Sequence, residues 1–189
     1  MYQKRNRELG ILNLYLGDYN RQFYLREISK LTKIPLKTTQ NVVSIFERNK
    51  ILKGIKSGKN KYLKLNLDNI QTKFLILQSE VNKTILFLDK YPLLKAFLKE
   101  IDTDVFLIVF GSFARLEADK NSDLDLLVTP GKKLPLHLLP YKIHKIELSE
   151  DSFIISLRKQ EALIKEIKEN HIILNNHSFY VNAMWSYYG

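Results

Sequence analysis

Between Val105 and Val128 the chain sets two apolar runs around a Gly-Ser turn and a short charged loop, a pattern that few arrangements other than adjacent sheet strands satisfy. Val105 to Phe110 is apolar throughout and mostly β-branched or aromatic, the composition of a strand buried on both faces. Gly111 ends that run: it lacks a side chain, reaches backbone angles closed to other residues, and lets a phosphate approach the main chain. Ser112 is expected at the start of a short helix over Phe113 to Glu117, where its hydroxyl and the free N–H groups of the first turn favour an anion. Glu117 to Asn121 carries mixed charge and reads as a surface turn.

The second run, Ser122 to Val128, alternates polar and apolar residues and then becomes wholly apolar. Residues i and i+2 of a strand share a face, so Asp123 and Asp125 point together while Leu124 and Leu126 enter the opposite layer. Two such carboxylates suit Mg²⁺, a hard cation that takes a few carboxylate oxygens together with substrate phosphates. Ten residues separate Ser112 from Asp123, so adjacent strands would make the turn and the acids neighbours.

Gly-Ser, about ten residues and Asp-x-Asp resembles the DNA polymerase β-like nucleotidyltransferase superfamily, and the Gly-Ser-x-Ala-Arg start is most similar to its minimal prokaryotic members. The resemblance implies a small mixed sheet flanked by helices, Mg²⁺, and a nucleoside triphosphate, with ATP the first expectation. It assigns phosphate binding to Gly111 and Ser112, with Arg115 as a further nucleotide-binding residue. It assigns metal binding and catalysis to Asp123 and Asp125, completed by a third carboxylate on a later strand. Lys142 to Leu148 alternates, and Glu147 is the expected third acid, holding metal and taking the acceptor's proton; Glu150 and Asp151 are rivals from the following turn. His144 faces away from Glu147 on an ideal strand and reads as structural. Relatives commonly place glycine after the arginine where this chain has Leu116, a residue that resists positive φ.

The first third has a different character. Residues 1–66 hold 15 Lys/Arg against 4 Asp/Glu, net +11, whereas residues 67–189 are net −1. A block this basic is a natural polyanion-binding surface. Helical spacing predicts a helix over Arg5–Leu16, a second over Leu25–Leu31 with Ile28 inward, and, after the Thr32 to Pro35 turn, a third to about Arg48. Two strand-like runs, Ile51–Ser57 and Lys59–Leu67, join through Ser57-Gly58. The whole resembles a winged helix-turn-helix domain of prokaryotic regulators. That resemblance implies double-stranded DNA as partner, with Lys37, Thr38, Thr39 and Gln40 on the groove-facing helix and Lys56, Lys59, Asn60 and Lys61 on the wing.

Leu67 to Glu100 reads as helical with a break at Tyr91-Pro92. Its stripe of Phe74, Leu77, Val81, Ile85 and Leu88 would pack within the chain or against a second copy in a homodimer. After Glu147 the pattern predicts one helix from Ser152 to about Asn170, then a closing hairpin of Ile172–Leu174 and Phe179–Val181 around Asn175-Asn176. The domain organisation expected is 1–66 for DNA, 67–101 as connector helices and 102–189 for the transferase fold, an α/β (α+β) class overall. With no cysteine, disulfides and thiolate chemistry are excluded. The four histidines lack zinc-ligand spacing. No run approaches the roughly 20 apolar residues of a membrane span, so no membrane partner and a cytoplasmic location are expected.

Together these features lead to the expectation of a DNA-binding, Mg²⁺-dependent nucleotidyltransferase. Its acceptor would be a protein, an RNA or a small molecule, since relatives include aminoglycoside-modifying enzymes and antitoxins that modify a toxin. The alternative is a transcriptional regulator whose transferase-like domain only senses nucleotide or mediates dimerisation.

Overall fold

The computed structural model describes residues 2–189, with side chains from Arg7 onward. The chain divides into two compact units, Met1–Ser79 with Met184–Gly189, and Glu80–Ala183.

In the first unit, α1 (Tyr2–Leu12) leads through a 3-10 turn to β1 (Phe23–Tyr24), α2 (Leu25–Thr32), α3 (Leu36–Arg48), β2 (Leu52–Ser57) and β3 (Asn60–Leu65). The strands form an antiparallel sheet in the order β1-β3-β2. Lys33 stands in the left-handed region at φ 56° and ends α2; Pro35, with its fixed φ, caps α3. Gly58, at φ 60°, begins the tight β2–β3 turn, the place a II′ hairpin reserves for glycine. Ile11, Leu12, Tyr15, Ile28, Val43, Phe46 and Leu63 fill the interior. The Tyr15 hydroxyl donates to the Leu63 carbonyl at 3.0 Å, tying the segment after α1 to the central strand. Tyr19 packs against the half-buried Trp185 and Tyr188, C-terminal aromatics that belong to the first unit.

A long helix, α4 (Ile70–Lys90), carries the chain into the second unit. There follow α5 (Leu94–Lys99), β4 (Leu107–Phe110), α6 (Gly111–Ala114), β5 (Leu124–Val128), β6 (Ile143–Glu147), α7 (Glu150–Lys159), α8 (Ala162–Glu169), β7 (Ile172–Asn175) and α9 (His177–Tyr188). The sheet is mixed, in the order β6-β5-β4-β7: β4 is antiparallel to β5 and β7, and β5 is parallel to β6. Every residue of β4 is buried, as its unbroken apolar run predicts. Val109, Leu124, Leu126 and Ile172 face a cluster with Phe87, Phe97 and Phe113. Across the sheet, Phe106 packs on Phe153 and Phe179. Among the described residues no helix is long and apolar enough to cross a membrane.

Two elements depart from the sequence expectation. The helix after Glu147 is broken: Gln160 turns left-handed at φ 55° and Glu161 starts a new helix, with neither glycine nor proline to signal it. The closing hairpin does not form. Asn176 at φ 57° ends β7, and Phe179–Val181 lie on α9, where Tyr180, Val181 and Met184 are buried at helical rather than alternating spacing. On α4 the stripe expected to pack within the chain or against a second copy is largely exposed. Phe74, Val81 and Ile85 are exposed, while Thr72, Ile76, Ser79, Glu80, Thr84 and Phe87 are buried.

Candidate active site

The site lies at one end of the second unit's sheet. Phe110 at the end of β4 pairs with Asp125 on β5, so the Gly-Ser turn and the second acid are lateral neighbours. The backbone then turns at Gly111 (φ 66°) directly into α6, which begins two residues earlier than expected and is only four residues long. A Cβ at Gly111 would lie 2.3 Å from Asp125 Oδ2. The glycine is therefore required twice, by its backbone angle and by the carboxylate packed on its Cα. Ser112 is half-buried in the first turn.

Asp123 immediately precedes β5 and Asp125 lies on it, both half-buried. Asp125 Oδ1 is 2.8 Å from His144 Nδ1, and Asp123 Oδ2 accepts from Lys142 Nζ at 2.7 Å. Both partners come from β6 or the residue before it. In the parallel register Leu124 pairs with Ile143, Asp125 with His144 and Val128 with Glu147. Paired residues of neighbouring strands share a face, which puts His144 beside Asp125.

The same register corrects the expected third acid. Glu147 is level with Val128, three residues along the strand from Asp125, and lies on the opposite face with Ile143 and Lys145. Its carboxylate accepts from Lys145 Nζ at 2.7 Å. Glu150 and Asp151 occupy the first turn of α7, capped by Ser149, and Glu150 Oε1 accepts from Asn176. His144 is thus the residue that sequence reasoning missed at the carboxylate pair. Its signal was its position one residue after Lys142-Ile143 in a strand parallel to β5, legible only once strand order is known.

Arg115 is exposed and its Nε donates to Glu117 at 3.0 Å. Leu116 adopts the left-handed conformation, φ 62°, that glycine would take at no steric cost. Its carbonyl accepts from Lys90 Nζ at 2.6 Å, which helps to hold the turn. The departure from glycine therefore changes the strain at this turn without changing its hand.

The two carboxylates fit a divalent cation of the Mg²⁺ kind, being hard oxygen donors on one face with substrate oxygens left to complete the shell. Among the described residues, no three acidic or histidine groups gather as a complete protein cage.

In the first unit the residues expected to meet DNA divide. Lys37, Gln40, Lys56, Lys59 and Asn60 are exposed and Thr38 is half-buried. Thr39 is fully buried, its hydroxyl within 3.2 Å of the Ile34 and Pro35 carbonyls, so it fixes the entry to α3 and presents nothing outward. Lys61 pairs with Glu47 of α3.

Residues 92–175 match the family model described as a nucleotidyltransferase domain. The match covers β4, α6, β5 and β6 and hence every residue around the carboxylate pair. No curated protein and no solved structure matches the chain. Residues 92–175 are thus similar to a nucleotidyltransferase domain, and nucleotidyl transfer in general is the chemistry that such a domain supports.

Proposed function

We infer that this protein is a DNA-binding nucleotidyltransferase. Its second unit moves a nucleoside monophosphate from a nucleoside triphosphate to a hydroxyl, and its first unit grips duplex DNA as a winged helix. The observation that carries the transfer reading is the contact of Asp125 with Gly111, which joins a phosphate-accessible turn to a carboxylate pair inside the matched domain. Gly111 and Ser112 hold the β- and γ-phosphates through the main chain and the hydroxyl. Asp123 and Asp125 would hold Mg²⁺, which when bound neutralises charge on the α-phosphate. The acceptor oxygen bonds to the α-phosphorus, the bond to the bridging oxygen of pyrophosphate breaks, and the acceptor proton passes to water. His144 keeps the Asp125 carboxylate oriented, and ATP is the nucleotide to test first. Arg115, engaged by Glu117, receives no role, and neither does Glu147 on the far face.

The DNA reading rests on the net +11 of residues 1–66 and on the exposed Lys37, Gln40, Lys56, Lys59 and Asn60 along α3 and the β2–β3 hairpin. A second reading, a transcriptional regulator whose transferase-like domain only senses nucleotide, is favoured by one observation: no third carboxylate joins Asp123 and Asp125 among the described residues. Asp125→Asn separates the two. Transfer abolished with DNA affinity unchanged supports the enzyme, whereas a parent protein that binds nucleotide without transferring it to any acceptor supports the regulator.

A further inference from the structure

Beside the carboxylate pair lies a cavity of about 400 Å³, within the range of small-molecule sites. Its walls are the loop Asp119–Asp123 leading into β5 and the segment Pro140-Tyr141-Lys142 leading into β6. Sheet order fixes which side of the acids this is. β5 stands between β4, which ends in the Gly-Ser turn, and β6, whose approach lines the cavity. The turn and the cavity therefore flank Asp123 and Asp125 from opposite sides.

That arrangement matters for a displacement at phosphorus. The attacking and leaving oxygens lie roughly in line on opposite sides of the phosphorus. With the leaving pyrophosphate on the Gly111-Ser112 side, the attacking hydroxyl arrives from the β6 side, where the cavity is. This step rests on the transfer reading above.

The lining gives the chemistry of what enters. Tyr141 is half-buried, and its ring meets Phe113 of α6 edge-on, centroids 4.9 Å apart, so a flat aromatic surface is fixed in place. Lys142, whose side chain is 81% exposed, and Lys120 bring two ammonium groups. Asn121 and Ser122 add amide and hydroxyl groups. The acids of the wall are already engaged: Asp119 accepts from the Asn121 N–H at 2.8 Å and from the Ser122 hydroxyl at 3.0 Å, and Asp123 accepts from Lys142. A ring platform next to lysines takes a planar base and its phosphate, because stacking on an aromatic face suits any base and the ammonium groups meet the phosphate charge.

The geometry points to this cavity as the acceptor subsite, taking a hydroxyl-bearing nucleotide with its base on Tyr141 and its phosphate on Lys120 and Lys142. The nucleotide is either free or the last residue of a polynucleotide. In the transfer, its hydroxyl oxygen forms the new bond to the α-phosphorus, pyrophosphate leaves with the electron pair of the broken bond, and the hydroxyl proton goes to solvent.

The test uses the full chain and two probes, 4-thiouridine 5′-monophosphate and a trinucleotide ending in 4-thiouridine. Binding is measured by equilibrium dialysis and the contact mapped by photocrosslinking with peptide mass analysis. The expected result is adducts within 119–123 or 140–142 and affinity weakened about tenfold or more by Tyr141→Ala but nearly kept by Tyr141→Phe. The melting temperature of each variant controls for folding. Tighter binding of the monophosphate identifies a free nucleotide as the source; tighter binding of the trinucleotide identifies a chain end. Adducts confined to other segments, or equal affinity in Tyr141→Ala, overturn the assignment. Transfer is assayed separately with a labelled triphosphate. If transfer proceeds to nucleotide acceptors with an unchanged acceptor KM in Tyr141→Ala, the cavity assignment fails and the enzyme reading stands. If the cavity binds both probes but no triphosphate is ever consumed, the transfer reading fails and a nucleotide site remains.

Discussion

Gly111 and Leu116 bracket α6 and make the same demand on the backbone. Both have positive φ, and only the first is glycine. A left-handed leucine costs about 1–2 kcal/mol, and the Leu116 side chain, half-exposed, loses little burial when removed. Leu116→Gly is therefore expected to raise stability by about 0.5–1 kcal/mol after the glycine's own entropy is subtracted, read as a higher urea midpoint at unchanged slope. A lower midpoint would show that no strain resides there. Gly111→Ala should lose about 2 kcal/mol or more and displace Asp125, abolishing transfer even where the fold survives, because the new methyl group meets both a disfavoured φ and a carboxylate oxygen. These positions were legible in the sequence because their logic is local: a glycine ending an apolar run, and two acids two apart. Glu147 was misplaced because its face and level depend on the β5–β6 register, which no local pattern encodes.

At the scale of elements, α4 and its contacts in the second unit carry the largest surprise. Periodicity put Phe74, Val81 and Ile85 on one apolar stripe, and the fold leaves these residues exposed while it buries Glu80 and Thr84. Polar partners far along the chain explain it. Glu80 Oε1 meets His171 Nε2 at 3.0 Å, Thr84 donates to the Ile173 carbonyl at 2.6 Å, and His177 Nε2 lies 3.0 Å from the Thr84 hydroxyl. A helical-wheel argument cannot count such bonds, each of which removes the penalty of burying a polar group. The cluster also sets a pH response. Burial pushes the His177 imidazole below its ordinary 6.5, against the opposing pull of Glu80. Burial pushes the Glu80 carboxyl up, but His171, with Lys83 and His177, outweighs it and holds the group below 4.5. In both cases the unfolded chain binds more protons on acidification, so stability falls as pH drops below 6.5 for His177 and again below 4.5 for Glu80. Calorimetry should show the thermal midpoint declining through both windows, with His177→Gln flattening the upper one; a level midpoint between pH 7 and 5.5 would contradict the account. On α3, Thr39→Val should destabilise by about 1–2 kcal/mol without touching nucleic-acid affinity, because the lost hydroxyl serves Ile34 and Pro35. Binding weakened at unchanged stability would instead place Thr39 in the DNA contact.

For the whole molecule, charge and chemistry are segregated: the cationic excess lies in residues 1–66 and the carboxylate pair in the second unit. The helices α2 and α3 and the β2–β3 hairpin were legible because periodicity and turn residues mark them. The placing of Met184–Gly189 with the first unit was not, since the packing of Trp185 and Tyr188 on Tyr19 spans most of the chain length. If the first unit holds DNA through phosphate contacts, the logarithm of the binding constant should fall linearly with that of salt concentration. Replacing Lys37 and Lys59 with alanine should then lower the slope by about two, and a salt-independent affinity would remove the DNA reading. The proposed transfer of a nucleoside monophosphate rests on Gly111-Ser112 and Asp123-Asp125. The most direct measurement follows a nucleoside triphosphate labelled separately on its α- and γ-phosphates, incubated with Mg²⁺ and cell extract beside Asp125→Asn. Label from the α-position retained on an acceptor, label from the γ-position released as pyrophosphate, and neither event with the variant is the predicted result; γ-label retained on the acceptor, or equal α-transfer by Asp125→Asn, would contradict it.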